Sequence, residues 1–242
     1  MPYRLPTAYH ASFGIFQIVL DALSELSLLS VLAMALFRDL VATVAEAEGL
    51  SEMAVTGIGQ YLRDAGFISK HGRGRAAAQM TSVDAANLLI GVNASDLAKN
   101  AVAAVAAYGD LKIAHPEKNE IQHWAIARVF EKEVTLQEAI GILVEAFIPQ
   151  QDGTTAFARD AGADQCTIEI GFGKPTASAY VSLAEEGPPS PANPFRWLQY
   201  QKTKAFGHYW DGSHLWPSSL GRKDLTIIDG RTLAAVGSVL AK

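Results

Sequence analysis

One change of hydrophobic period divides this 242-residue chain. Up to Pro149, apolar residues recur mostly at helical spacing; beyond it, short runs bounded by turn residues take over. Cys166–Phe172 and Thr176–Leu183 read as two strands, with Lys174-Pro175 between them. Asp224–Ile228 reads as another strand and Arg231–Leu240 as a closing helix. Residues 195–216 hold three of the four tryptophans and read as a hairpin; Glu185–Pro194, with four of the ten prolines, reads as a loop. A helical N-terminal part followed by a small mixed α+β C-terminal part points to the α+β class.

The helical part has its own punctuation. Residues 94–108 read as an alanine-rich helix ending at Gly109. A polar break follows, with Pro116, Lys118 and Asn119. Residues 120–132 read as a helix containing His123 and Trp124. Thr135-Leu136-Gln137-Glu138 has the form of a capping box and starts a helix to about Ile148.

Phe13–Phe37 is apolar and long enough to cross a bilayer, but Asp21 and Glu25 lie inside it. Each costs about 2.5–3.5 kcal/mol at a membrane centre, which argues against a spanning helix. Leu28–Phe37 has the character of a signal-peptide core, with Ala33-Met34-Ala35 as an A-x-A match, yet the segment before it has the wrong charge balance. Two readings stand. Ile15, Ile18, Val19, Ala22, Leu26 and Leu29 describe an amphipathic helix, or the true start is Met34 and the first 33 residues are dispensable.

The most informative constellation spans Val41–Gln60. Val44 and Ala45 sit on a first helix, Gly49 makes the turn, Leu50 follows, and Val55 and Ile58 sit on a second helix. A helix-turn-helix needs a small residue where the second helix crosses and a glycine able to adopt φ > 0 in the turn. Ser51 is placed to cap the second helix and Gly66 to end it. Phe67-Ile68 then suits a short strand. Ser69-Lys70-His71-Gly72-Arg73-Gly74-Arg75 carries three fixed positive charges, two glycines and no acid. Thr81-Ser82-Val83-Asp84 offers a new N-cap before the apolar run Ala85, Ala86, Leu88, Leu89 and Ile90.

The order helix, turn, helix, apolar strand, basic glycine-rich loop and return resembles a winged helix-turn-helix DNA-binding domain. The run YLRDAGFISKHGRGRAAAQMT, followed by DAANLLI, is similar to small bacterial and prophage-associated proteins of that type. The resemblance covers residues 39–92, with a weaker echo in the terminal TIIDGRTLAAVGSVLA. It implies binding to double-stranded DNA. The organisation expected is an apolar segment over 1–37, a winged helix-turn-helix over 38–92, a helical connector over 93–149 and an α+β part over 150–242.

The residue chemistry suits that expectation. On the second helix, Glu52, Met53, Thr56, Gln60 and Arg63 are expected to face outward, with Gln60 able to read adenine and Arg63 guanine or phosphate, and Ser51 at its start is expected among the DNA-binding residues. Lys70, His71, Arg73 and Arg75 on the loop are expected to meet phosphates, or the narrow minor groove of A·T-rich DNA. Gly57 and Gly59 each cost the second helix about 1 kcal/mol relative to alanine. The competing reading is a helical hairpin with an ordinary solvated basic loop, or one that binds RNA or an acidic partner.

Composition narrows the rest. A net charge of −5 excludes a globally basic, histone-like protein, and a single cysteine, Cys166, excludes an internal disulfide or a cysteine-based zinc cluster. His208 and His214, with Asp211 between them, lack metal-ligand spacing. Gly171-Phe172-Gly173-Lys174 lacks the spacing of a phosphate loop. No nucleophile–base pattern is present, so no catalytic residue, cofactor or metal is expected. The aromatic cluster Phe195, Trp197, Tyr200, Phe206, Tyr209, Trp210 and Trp216 is read as the core of a small sheet. The expected protein is a cytoplasmic, homo-oligomeric DNA-binding regulator. The alternatives are a phage packaging or assembly adaptor and a C-terminal part that binds a small ligand or acts as an enzyme.

Overall fold

The computed structural model describes residues 35–70, 79–119, 121–122, 124–162, 166–186, 200–210 and 224–241. The expectations for residues 1–34 and for the loop at 71–78 lie outside these. The helices are α1 (Phe37–Ala47), α2 (Glu52–Asp64), α3 (Ser82–Ala94), α4 (Ala101–Gly109), α5 (Leu136–Ala146), α6 (Ala156–Ala161) and α7 (Gly230–Leu240). The strands are β1 (Lys112–Asn119), β2 (Cys166–Lys174), β3 (Ser178–Glu186), β4 (Tyr200–Trp210) and β5 (Asp224–Asp229). All pair antiparallel in one sheet of order β1-β4-β3-β2-β5. The chain is therefore α+β.

Period-2 burial fixes which sheet face meets the helices. Ile168, Ile170 and Phe172 on β2, Ala179, Val181 and Leu183 on β3, Tyr209 on β4 and Ile228 on β5 are buried. Glu169, Tyr180, Ser182 and His208, one residue out of phase, are half-buried. Helix α3 is buried at every position from Asp84 to Ala94. That is why its sequence is apolar all round instead of striped. It touches α2 on one side and α4, α5, β2 and β5 on the others, so residues 35–241 form one compact unit. The divisions expected after 92 and after 149 fall inside that unit.

Several local expectations are corrected. The polar stretch around Pro116 is strand β1. It lies at the sheet edge, where proline is tolerated in a strand. Residues 120–132 contain no α-helix among the described residues. A 3-10 turn at Ala127–Phe130 instead buries Val129 and Phe130 beneath β1 and β4. The helix expected over 94–108 is two pieces. The chain turns extended at Ser95, whose hydroxyl donates to Gly91 O at 2.5 Å, and resumes through a 3-10 turn at Ala98–Asn100 into α4. Phe67-Ile68 is not a strand; Ile68 is buried in a bend and Asn87 Nδ2 donates to Phe67 O at 2.7 Å. β4 is one long strand between β1 and β3, where a hairpin was expected.

Candidate nucleic-acid interface

Helices α1 and α2 each stop in the same way. Gly49 takes φ +65° and Gly66 takes φ +85°. Leu50 N donates to Ala45 O at 2.8 Å and Gly49 N to Glu46 O at 3.2 Å; Phe67 N and Gly66 N repeat the pattern on Leu62 and Arg63. Both ends are Schellman motifs, which satisfy the last carbonyls and need a left-handed residue that glycine adopts without strain. At the start of α2, Ser51 Oγ accepts from Ala54 N at 3.2 Å. The pair is thus a tight helical corner with Val44, Ala45, Val55 and Leu62 sealed inside it, while Leu50 stays 45% exposed.

Of the two glycines inside α2, Gly59 has a packing role and Gly57 does not. A Cβ on Gly59 would stand 2.6 Å from the Phe37 ring, so the missing side chain lets α1 and α2 approach. Gly57 meets only Ala98, at 3.8 Å.

The outward side of α2 presents Glu52, Met53, Gln60 and Tyr61, with Met53 84% exposed and Thr56 half-buried. Arg63 is placed differently from the outward position expected of it. It is half-buried, its guanidinium sits 4.7 Å above the Phe37 ring, and its sealed Nε has no hydrogen-bond partner among the described residues. Lys70 Nζ lies 2.9 Å from Asp64 Oδ1 in an exposed ion pair. His71, Arg73 and Arg75 lie outside the described residues. Residues 35–70 carry three cations against five acids, so the helical corner alone offers no positive field.

The residue that organises the loop is Asp84, which is 3% exposed. Its Oδ1 accepts from Ser69 N at 2.8 Å, and its Oδ2 accepts from Thr81 N and Thr81 Oγ1, both at 2.9 Å. One carboxylate therefore holds both ends of the segment between residues 69 and 81. Behind it, Asn87 accepts from Gln137 Nε2 at 2.5 Å while donating to Phe67 O, which ties the corner to α5. Thr81 and Asp84 were legible as a cap in the sequence. The bond to Ser69, across fifteen positions, was not.

Electrostatics single out Glu48, in the α1–α2 turn. Burial pushes its carboxyl above the usual range, a Thr232 hydrogen bond opposes this, and the Asp229 charge adds to it. Its Oε1 is sealed without a hydrogen-bond partner among the described residues. Asp229 responds oppositely. Burial alone would raise it, but bonds from Arg231 and the Thr232 N–H hold it low as the cap of α7.

The other candidates give no second site. Cys166 is half-buried on β2, and no group of metal-ligating side chains occurs among the described residues. Tyr209 is fully buried and donates its hydroxyl to Val129 O, so it is a core residue; Trp197 and Trp216 lie outside the described residues. No helix among the described residues is long and apolar enough to cross a membrane. Comparison with protein-family models, curated proteins and solved structures gives no match for this chain.

Proposed function

We propose that this chain binds duplex DNA as a sequence-specific regulator. In this reading α1, α2 and the loop gripped by Asp84 act together as a winged helix-turn-helix. The observation that carries the reading is the geometry of α2 together with the two ends of that loop, at Ser69 and Thr81. Helix α2 is capped at both ends and packed on one side, with Gln60 and Glu52 clear on the other. The basic segment that follows leaves and returns at a single carboxylate.

The charge distribution assigns different work to the two parts. With Arg63 over Phe37 and Lys70 on Asp64, α2 contributes little phosphate attraction. Arg73 and Arg75 supply the affinity, and Gln60 supplies base choice through a bidentate contact to adenine. The Lys70–Asp64 pair is exposed and worth about 0–1 kcal/mol, so it yields readily to a phosphate.

The test is unbiased selection of duplex sites by the full chain, followed by titration with Gln60→Ala. A defined motif supports a regulator. Gln60→Ala then loses about 1–3 kcal/mol on the selected site and little on unrelated duplexes. Binding without any motif supports a packaging or assembly adaptor, and no binding overturns the reading.

A further inference from the structure

We propose that strand β5 is the surface on which a second copy of this chain pairs, strand against strand, about a two-fold axis through Thr226. Among the described residues the two edges of the sheet differ in a way that points to this. β1 is an edge built against pairing: it contains Lys112, Pro116 and Lys118, and its register against β4 breaks twice, between Ile113 and His115 and between Pro116 and Lys118. Lysine, proline and bulges are the devices by which edge strands avoid recruiting another strand. β5 has none of them. Its sequence is Asp-Leu-Thr-Ile-Ile-Asp, and it pairs with β2 residue for residue from Lys174↔Asp224 to Glu169↔Asp229.

β5 also exposes the wrong side chains for a strand that ends a sheet in water. Leu225 is 56% and Ile227 44% exposed, at alternate positions on the face opposite buried Ile228. The apolar character continues inward. Ile227 pairs with Gly171 and Gly171 with Tyr180, whose ring covers the glycine so closely that a Cβ would stand 2.1 Å from Cε1.

Self-pairing is the occupant this strand fits, because one register satisfies every constraint. An antiparallel partner must keep buried faces on the same side, so only axes through a residue are allowed. An axis through Thr226 sets Leu225 opposite the partner's Ile227, and Ile227 opposite the partner's Leu225, closing four apolar side chains into one cluster. Asp224 then faces the partner's Ile228, and no acid faces an acid. An axis through Ile227 would set Leu225 against the partner's Asp229. An axis through Leu225 would leave Ile227 beyond the end of the partner's strand. Cross-strand apolar pairs of this kind favour pairing modestly. The contact is small beside the about 800 Å² per partner of a standard interface, so the dimer is weak and concentration-dependent.

The inference does not rest on DNA binding and is tested without DNA, so the two succeed or fail separately. Sedimentation of the full chain over a concentration series should show a monomer–dimer equilibrium in the micromolar range. Leu225→Lys combined with Ile227→Lys should raise the dissociation constant at least about tenfold, with unchanged circular dichroism and melting temperature. In a Cys166→Ser background, Thr226→Cys should cross-link to itself under mild oxidation. Ile227→Cys should cross-link to Leu225→Cys and not to itself. A wild-type monomer at high micromolar concentration, or a dimer that the lysines leave intact, overturns the proposal. Self-linking Ile227→Cys with no Thr226→Cys dimer overturns the register.

Discussion

At the scale of single residues, carboxylates decide how the helical corner is held, and two of them do opposite things. Asp84 is buried with three donors and fastens the loop. Glu48 is partly buried with one oxygen sealed and without a partner among the described residues, and its carboxyl titrates above its ordinary value of 4.5. A folded-state value above the unfolded one means that the folded chain holds the proton more tightly. Glu48 therefore costs stability as pH rises from the ordinary carboxylate range through its raised value, and costs nothing below both. Glu48→Gln should raise the melting temperature at pH 7, with the gain shrinking to nothing as pH falls below about 4. Thermal melts of both proteins across that range check it; equal melting temperatures at pH 7 would show that the carboxylate is not strained. Nothing local to Glu48 in the sequence shows its raised value, because Thr232 and Asp229, which hydrogen-bond and repel it, lie more than 180 positions away.

At the scale of elements, legibility followed locality. Ser51, Thr81 and Thr135 each cap a helix through bonds three residues away, and all three were readable. β1 was not, since Pro116, Lys118 and Asn119 spoil its alternation and its partner β4 lies some 90 residues on. Gly59 in α2 looks like a helix defect until the Phe37 ring it admits is known, whereas Gly57 admits no close neighbour. Gly237 in α7 meets a still less yielding neighbour. A Cβ there would stand 2.5 Å from Phe147 O, a backbone atom at the end of α5 that no side-chain rotation can clear. Gly237→Ala should lose about 1–3 kcal/mol despite alanine's better helix propensity. Gly57→Ala meets only ordinary contact and should gain up to about 1 kcal/mol. Urea unfolding of both variants separates packing from propensity, and the same sign for both would contradict this account.

At the scale of the whole molecule, α3 is the hinge of the interpretation. It was read as the last helix of a small N-terminal module, yet it is wrapped by α2, α4, α5 and the sheet and forms part of a core that runs through residues 35–241. The α+β class was legible because the hydrophobic period changes along the chain; the shared core was not, because burial on all sides leaves no stripe to show which partners surround a helix. The helical corner thus packs within the unit of residues 35–241, and its own charges do not attract a polyanion. The central claim, DNA binding, consequently depends on Arg73 and Arg75. Binding of the full chain to duplex DNA should weaken steeply with salt, by about 0.9 in log K against log salt for each phosphate contact. Arg73→Ala with Arg75→Ala should weaken binding to every duplex and flatten that slope by about 1–2 units. Titrations of both proteins at several salt concentrations measure it directly. A double variant with wild-type affinity and an unchanged slope would contradict the account and leave the basic loop as a solvated turn.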